Sequence, residues 1–228
     1  MKENMKLLSF KYKDKSSFGL LDGSNVIDLK NHFSSDVKSL KELLKNKKII
    51  FEELNLNKLN IIPINEIEFL PVIINPEKIL CVGVNYNEHR IETKRKINKY
   101  PTIFTRFSES QIGHLKNIVI PKQSYKLDFE GELAVIIGKK GKNLSVDNAM
   151  TIVAGFSCYN DATVRDWQTH SSQFTPGKNF DDTGAFGPYL VTKDEIKNIE
   201  ELNIETYLNG KLMQKSDISK LIFSIPQL

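Results

Sequence analysis

Residues 128–138 read Asp-Phe-Glu-Gly-Glu-Leu-Ala-Val-Ile-Ile-Gly, and this run constrains the fold more than any other in the chain. Strand alternation puts Asp128, Glu130 and Glu132 on one face and Phe129, Gly131 and Leu133 on the other, after which the run is apolar throughout. Such a run predicts a strand inside a sheet, and it carries two carboxylates inward with it. Like charges one pleat apart raise each other's pKa and are costly to bury unless something neutralises them. A hard divalent cation does so. Carboxylate oxygens suit Mg²⁺, Mn²⁺ or Ca²⁺, and Asp161, at the end of the strand-like GFSCYND, would add a third ligand while leaving positions for water and substrate. Taken alone, however, a Glu-x-Glu pair is more often a solvated strand face.

The rest of the composition narrows the class. With 228 residues, 40% hydrophobic and 26% charged, the chain can build one or two domains with a core, which excludes disordered, collagen-like and disulfide-scaffold classes. Lys and Arg exceed Asp and Glu by 32 to 28, too small and too dispersed an excess to imply nucleic acid. Cys81 and Cys158 lie in apolar or strand-like stretches, which predicts buried, reduced thiols and a cytoplasmic location. The amino-terminal MKENMKLLSF breaks its apolar residues with Lys and Asn, and no stretch approaches the roughly 18 to 20 apolar residues of a membrane span, so a soluble protein is expected.

The fold class expected is α+β and β-rich, in two parts: a small N-terminal β/α unit over residues 1–70 and a site-bearing domain over 71–228. In the first part KLLSFKYK, SFGLLDG and VIDL read as short strands, and DVKSLKELLKNKK as a helix. Residues 52–77, punctuated by Pro63, Pro71 and Pro76, read as a linker. In the second part KILCVGV is expected as a buried strand, TIFTRF as another, and NIETYLNGKLMQ as a hairpin turning at Asn209-Gly210. Asn85 is read as an N-cap with Glu88 three residues on, and SQFTPGKNFDDTGAFGP as a long functional loop.

His89 and Glu92 fall one helical turn apart, the geometry in which a carboxylate orients an imidazole for general-base work, although so charged a helix is as readily a solvated face. Lys178, in a Gly-Lys-Asn-Phe-Asp loop, could meet a substrate carboxylate or a developing enolate, or could be an ordinary solvent lysine. Arg165 and Asp166 read as a structural ion pair. His32, His114 and His170 have no partner that spacing specifies. There is no phosphate-cradling Gly-rich loop, no Gly-x-Ser-x-Gly elbow and no Cys/His zinc spacing.

Four motifs occur in order: VGVNYNEHRIE, FEGELAVIIG, AGFSCYNDATVRDWQ and FTPGKNFDDTGAFGPYLVT. Together they resemble the fumarylacetoacetate hydrolase family from about Lys78 to Leu228, in its acylpyruvate hydrolase and hydroxymuconate isomerase branch. The resemblance implies a mixed β-sandwich roll around a metal site, and commonly a homodimer. It implies Glu130, Glu132 and Asp161 as ligands of Mg²⁺ (or Mn²⁺ or Ca²⁺), a His89–Glu92 dyad activating water, Lys178 stabilising an enolate, and Arg106 near the substrate. It also implies a small-molecule 2-oxo acid or acylpyruvate substrate, cleaved hydrolytically at a C–C bond, with isomerisation or decarboxylation as alternatives on the same enolate. The apolar ending SKLIFSIPQL should be covered by something, and relatives usually continue beyond it with a Thr-Gly-Thr-Pro loop. A chain shorter than its fold is therefore expected, with a catalytically silent scaffold as the rival reading.

Overall fold

The computed structural model describes residues 5–33, 36–46, 59–92 and 98–228. Strands β1 (Lys6–Tyr12), β2 (Lys15–Asp22) and β3 (Asn25–Asp28) form an antiparallel meander. The two-residue turn between β1 and β2 holds Lys13 and Asp14 at positive φ, as turns matching the strand twist require. Helix α1 (Leu40–Asn46) begins later than the expected stretch from Asp36, and residues 47 and 48 of that stretch lie outside the described residues. Its first turn is fixed by Ser39, whose Oγ accepts from the Glu42 amide at 3.4 Å, and it lays Leu40 and Leu43 into the core with Val37.

The stretch expected as a linker contributes strands instead, which corrects that reading where it is described. β4 (Asn60–Pro63) pairs with β3, and β5 (Glu68–Phe69) pairs with β1 through Phe10 and Phe69. Residues 51–58 lie outside the described residues.

The site-bearing region begins with β6 (Ile79–Gly83), paired antiparallel with β7 (Thr102–Arg106). β6 is not the buried strand expected, since Leu80 is 62% exposed. Between the two lies α2 (Asn87–Glu92). Then come β8 (Gln111–Ile112), β9 (Leu127–Asp128), β10 (Gly131–Ile137), β11 (Val153–Asp161), β12 (Thr163–Val164), α3 (Arg165–Gln168), α4 (Thr175–Lys178), β13 (Gly184–Phe186) and β14 (Leu190–Thr192). A final hairpin joins β15 (Asn203–Leu208) to β16 (Lys211–Asp217), with Asn209 and Gly210 both at positive φ.

One ten-stranded sheet follows the order β4-β3-β2-β1-β14-β11-β13-β8, with β10 on β11 and β5 on β1. It is mixed, because β13 and β8 run parallel. It crosses the expected domain boundary without a break: Leu7 of β1 sits opposite Leu190 of β14. One apolar core likewise takes Leu7, Phe18 and Leu40 from the first part and Ile136, Phe186 and Leu190 from the second. This curled, β-rich sheet with few helices is the fold expected.

Asn85 is 7% exposed and does not cap α2. Its side chain donates to the Phe223 carbonyl at 2.9 Å and accepts from the Phe223 amide at 2.8 Å, and its own carbonyl takes the Ile222 amide. The apolar ending is thus tied to the chain just before α2, where Leu221 also bridges Tyr86. Glu88 pairs with Lys220 rather than with a helix start. Cys81 is half-buried, but Cys158 is exposed, against the expectation of two buried thiols. Among the described residues no helix is long and apolar enough to cross a membrane.

Candidate active site

The ladder between β10 and β11 brings the acidic residues together. Gly131 pairs with Asn160 and Glu132 with Tyr159, and beyond the strand end the Asp161 amide donates to the Glu130 carbonyl at 2.8 Å. Glu130 and Asp161 are therefore backbone neighbours although 31 positions apart in the chain. Gly131 must lack a side chain: a Cβ there would stand 2.0 Å from Thr206 Oγ1 on the covering hairpin.

Lys178 enters from the last position of α4. Helix α4 packs onto α3 because Gly177 lets their backbones meet, a Cβ there falling 2.4 Å from the Gln168 amide nitrogen. The Lys178 side chain is 1% exposed and its Nζ donates to Glu130 Oε2 at 2.8 Å and Asp161 Oδ2 at 2.6 Å. It also stands 4.9 Å from the Phe104 ring centre, where the ring face favours a cation.

Two arginines complete the cluster. Arg106, expected near the substrate, is 2% exposed. Its Nη1 donates to Asp161 Oδ1 at 2.7 Å and to the Ala162 carbonyl, its Nη2 to Thr183 Oγ1, and its Nε to Ser110 Oγ. The guanidinium is thus spent inside the protein. Arg165 does not pair with Asp166, as expected, but with Asp128 through Nε and Nη2 and with Glu130 through Nη1. Asp166 instead accepts from Ser124.

These contacts set the titration of the acids. At Glu130 burial pushes the pKa up, but Lys178 and Arg165 outweigh it and hold the carboxyl below its ordinary value. At Asp161 burial wins over Lys178 and Arg106, and the pKa is raised. Glu132 is different: burial, then the charges of Glu130 and Asp161, push it up to about 8. Among the described residues none donates a hydrogen bond to its carboxylate. Asp128, Glu130, Glu132 and Asp161 are four carboxyls against three cations, Lys178, Arg106 and Arg165; the one without a cation is Glu132, which keeps its proton below about pH 8 while the site is empty.

Sequence reasoning gave Arg165 and Cys81 only structural roles and did not single out Thr163 or Tyr86. Thr163 Oγ1 donates to Glu130 at 2.9 Å. The Tyr86 phenol is pushed up by burial and then by Glu132, and Cys81, pushed up to about 12 by burial first, feels the charge of Asp161. The motif VGVNYNEHR held the signal for Tyr86. His89 and Glu92 ride on α2, but their side chains lie outside the described residues.

As arranged, no three His, Cys, Asp or Glu side chains among the described residues stand ready to hold a metal ion together, and Lys178 Nζ occupies the point that two of the carboxylates face. The donor set nonetheless fits a hard cation: Glu130, Glu132 and Asp161 offer oxygens alone, and Glu132 has no cation of its own among the described residues.

The sequence model for the C-terminal region of fumarylacetoacetate hydrolases matches residues 78–228. A mitochondrial oxaloacetate tautomerase of Xenopus laevis is 37% identical over 99% of this chain and 73% of its own length. A fumarylacetoacetate hydrolase from the psychrophilic Exiguobacterium antarcticum has a similar structure, with a TM-score of 0.83 and 28% identity over 98% of this chain and 79% of that one. The maleylpyruvate hydrolase of Sphingobium sp. SYK-6, solved with manganese(II) and pyruvate, shares the fold at a TM-score of 0.78 and 24% identity over 98% of this chain and 80% of that one.

Proposed function

The chain belongs to the fumarylacetoacetate hydrolase family, and we propose that it is a divalent-cation-dependent enzyme that interconverts the keto and enol forms of a short 2-oxo acid such as oxaloacetate. The observation that carries this reading is the charge balance of the site. Four carboxyls face three fixed cations, and Glu132 has none of its own; a dication that displaces its proton would leave the site with one net positive charge, suited to an anionic substrate. The frog relative, alike over 99% of this chain, is named an oxaloacetate tautomerase. The manganese(II) and pyruvate of the maleylpyruvate hydrolase structure support a cation beside a 2-oxo acid in this fold.

Glu130, Glu132 and Asp161 would hold the cation, Mg²⁺ or Mn²⁺. When bound, it supplies Lewis-acid stabilisation of the negative charge that develops on the 2-oxo oxygen. The chain's own residues do the rest. Tautomerisation takes a proton from the carbon beside the carbonyl and returns one to the oxygen, with no atom gained or lost. We assign the carbon proton to His89, oriented by Glu92 one turn along α2. The Lys178 ammonium donates at short range to Glu130 and Asp161 side chains and only at 3.4 Å to the Asp161 carbonyl, and we assign that third, weakly held N–H to the oxygen that gains charge.

Hydrolytic C–C cleavage of an acylpyruvate, placed first from the sequence, is the second reading, and the likeness to the Exiguobacterium hydrolase favours it. It needs the same enolate and adds a water, which His89 would deprotonate. The experiment follows the decay of enol oxaloacetate, and pyruvate release from acylpyruvates, with Mn²⁺ and with chelator, for the chain and for Glu132→Gln and His89→Gln. The tautomerase reading expects a Mn²⁺-dependent acceleration that Glu132→Gln abolishes and His89→Gln lowers by about 10²–10⁴-fold. Acceleration indifferent to Glu132 or to chelator would overturn it. Pyruvate release without tautomerisation would install the hydrolase instead.

A further inference from the structure

We propose that Arg165 and Arg106 are positioning residues that aim the cation's ligands, each holding one oxygen of a carboxylate from behind so that the other faces the centre. The inference rests on the cation-site reading above and concerns how that site keeps its shape.

The contacts divide without overlap. Glu130 Oε1 accepts from Arg165 Nη1 and Thr163 Oγ1, while Oε2 accepts from Lys178 Nζ. Asp161 Oδ1 accepts from Arg106 Nη1, while Oδ2 accepts from the same Lys178 Nζ. Both inward oxygens therefore converge on one positive centre, and both outward oxygens end on a guanidinium. A carboxylate by itself has two equivalent oxygens and a freely turning terminal torsion. A rigid, planar cation behind it removes that freedom.

Each arginine is itself fixed. Arg165 Nε and Nη2 grip Asp128 Oδ2 at 2.9 and 2.8 Å, and Nη1 also reaches Gln168 at 3.3 Å. Arg106 is held by Ser110, Ala162 and Thr183. With Nε, Nη1 and Nη2 all bonded inside the protein, Arg106 is placed to orient Asp161 and has no nitrogen free for a substrate. Glu132 has no such partner among the described residues, which leaves it the ligand free to close on the cation.

Mere structural ion pairs would show in melting temperature and not in metal affinity. The test measures Mn²⁺ affinity of the full chain by electron paramagnetic resonance titration, beside thermal melting in chelator. The variants are Arg165→Gln, Arg165→Lys, Arg106→Lys and Thr163→Val, with Lys215→Gln of the exposed Lys215–Glu205 pair as control. Arg165→Gln should weaken Mn²⁺ by about 10–100-fold, Arg165→Lys should recover part of that loss, and Arg106→Lys, which keeps the charge but not the fork, should also weaken it. Thr163→Val keeps the shape of a residue that is fully buried, so its smaller loss is expected in a folded protein even where Arg165→Gln does not fold. Affinities within about twofold of the unsubstituted chain in folded Arg165 and Thr163 variants, where Arg165→Gln is expected to lose about tenfold or more and Thr163→Val less, overturn this inference and leave the cation site standing. Failure of the unsubstituted chain to bind Mn²⁺ overturns both.

Discussion

Replacing Glu132 by Gln should stabilise the cation-free protein at alkaline pH while destroying its cation site. The carboxyl has an ordinary pKa of 4.5 and a folded value pushed up to about 8 by burial and by the charges of Glu130 and Asp161. A group that binds its proton more tightly when folded gives full stability below its unfolded pKa and loses it as pH rises toward the folded one. The window is therefore pH 4.5 to about 8. At about 1.4 kcal/mol per pH unit the loss has a ceiling of about 5 kcal/mol, and since water reaches part of the side chain about 2–4 kcal/mol is expected. The neutral amide of Glu132→Gln has no charge to bury and should show none of this fall. The assay is urea unfolding of chelator-treated protein across that window, read as the difference between the two proteins so that other titrating groups cancel. The unsubstituted chain should lose stability relative to Glu132→Gln as pH rises. Adding Mn²⁺ at the alkaline end should restore the former by mass action and leave the latter unmoved. Parallel curves for the two proteins would refute the claim that Glu132 is the uncompensated charge.

Lys178→Met should destabilise the cation-free protein by about 3 kcal/mol, the lower end for breaking a buried pair, because Arg165 and Arg106 still hold the two carboxylates. Calorimetry should find this as a fall in melting temperature of about 6–12 °C, partly reversed by Mn²⁺, and an unchanged melt would show the ammonium to be dispensable. Gly131→Ala should cost about 1–3 kcal/mol through its clash with Thr206 Oγ1. Adding Thr206→Ala should return much of that, so additive losses in the double-mutant cycle would place the strain elsewhere.

What was legible in the sequence was local. Asn209-Gly210 named its own turn, and both residues do hold positive φ. The alternation in Asp-Phe-Glu-Gly-Glu read as one strand, whereas the structure breaks it at Phe129–Glu130 between β9, paired with β12, and β10, paired with β11; the acids still gather at one place because Arg165 holds Asp128 and Glu130 together. The segment 59–69 was illegible because its strands are two and four residues long and exist through partners at Phe10 and Val26, far off in the chain. Asn85 has the residue type and position of a helix cap, but its hydrogen bonds go to Phe223, 138 residues on. Arg165 shows why adjacency misleads. Side chains at i and i+1 of a helical turn point apart, so Asp166 was poorly placed from the start, whereas the partners, Asp128 at the end of β9 and Glu130 just before β10, lie 37 and 35 positions back in the chain.

The cluster also explains how a fold can form around a cation site before any cation arrives. In small metal-dependent domains the ligands stay apart until the ion joins them, and binding energy is folding energy. Here Lys178, Arg106 and Arg165 neutralise three of the four carboxylates from within the chain. Folding is left with one carboxyl that has no cation, protonated below about pH 8 and charged above it, and a native state with the usual margin of about 5–15 kcal/mol can carry one such cost but not four. That charge belongs to Glu132, the ligand with no protein partner among those described. The residue that weakens the empty site as pH rises is thus the one that draws a cation into it. A substitution that relieves the first effect must forfeit the second, so stability and cation affinity are opposed at this position.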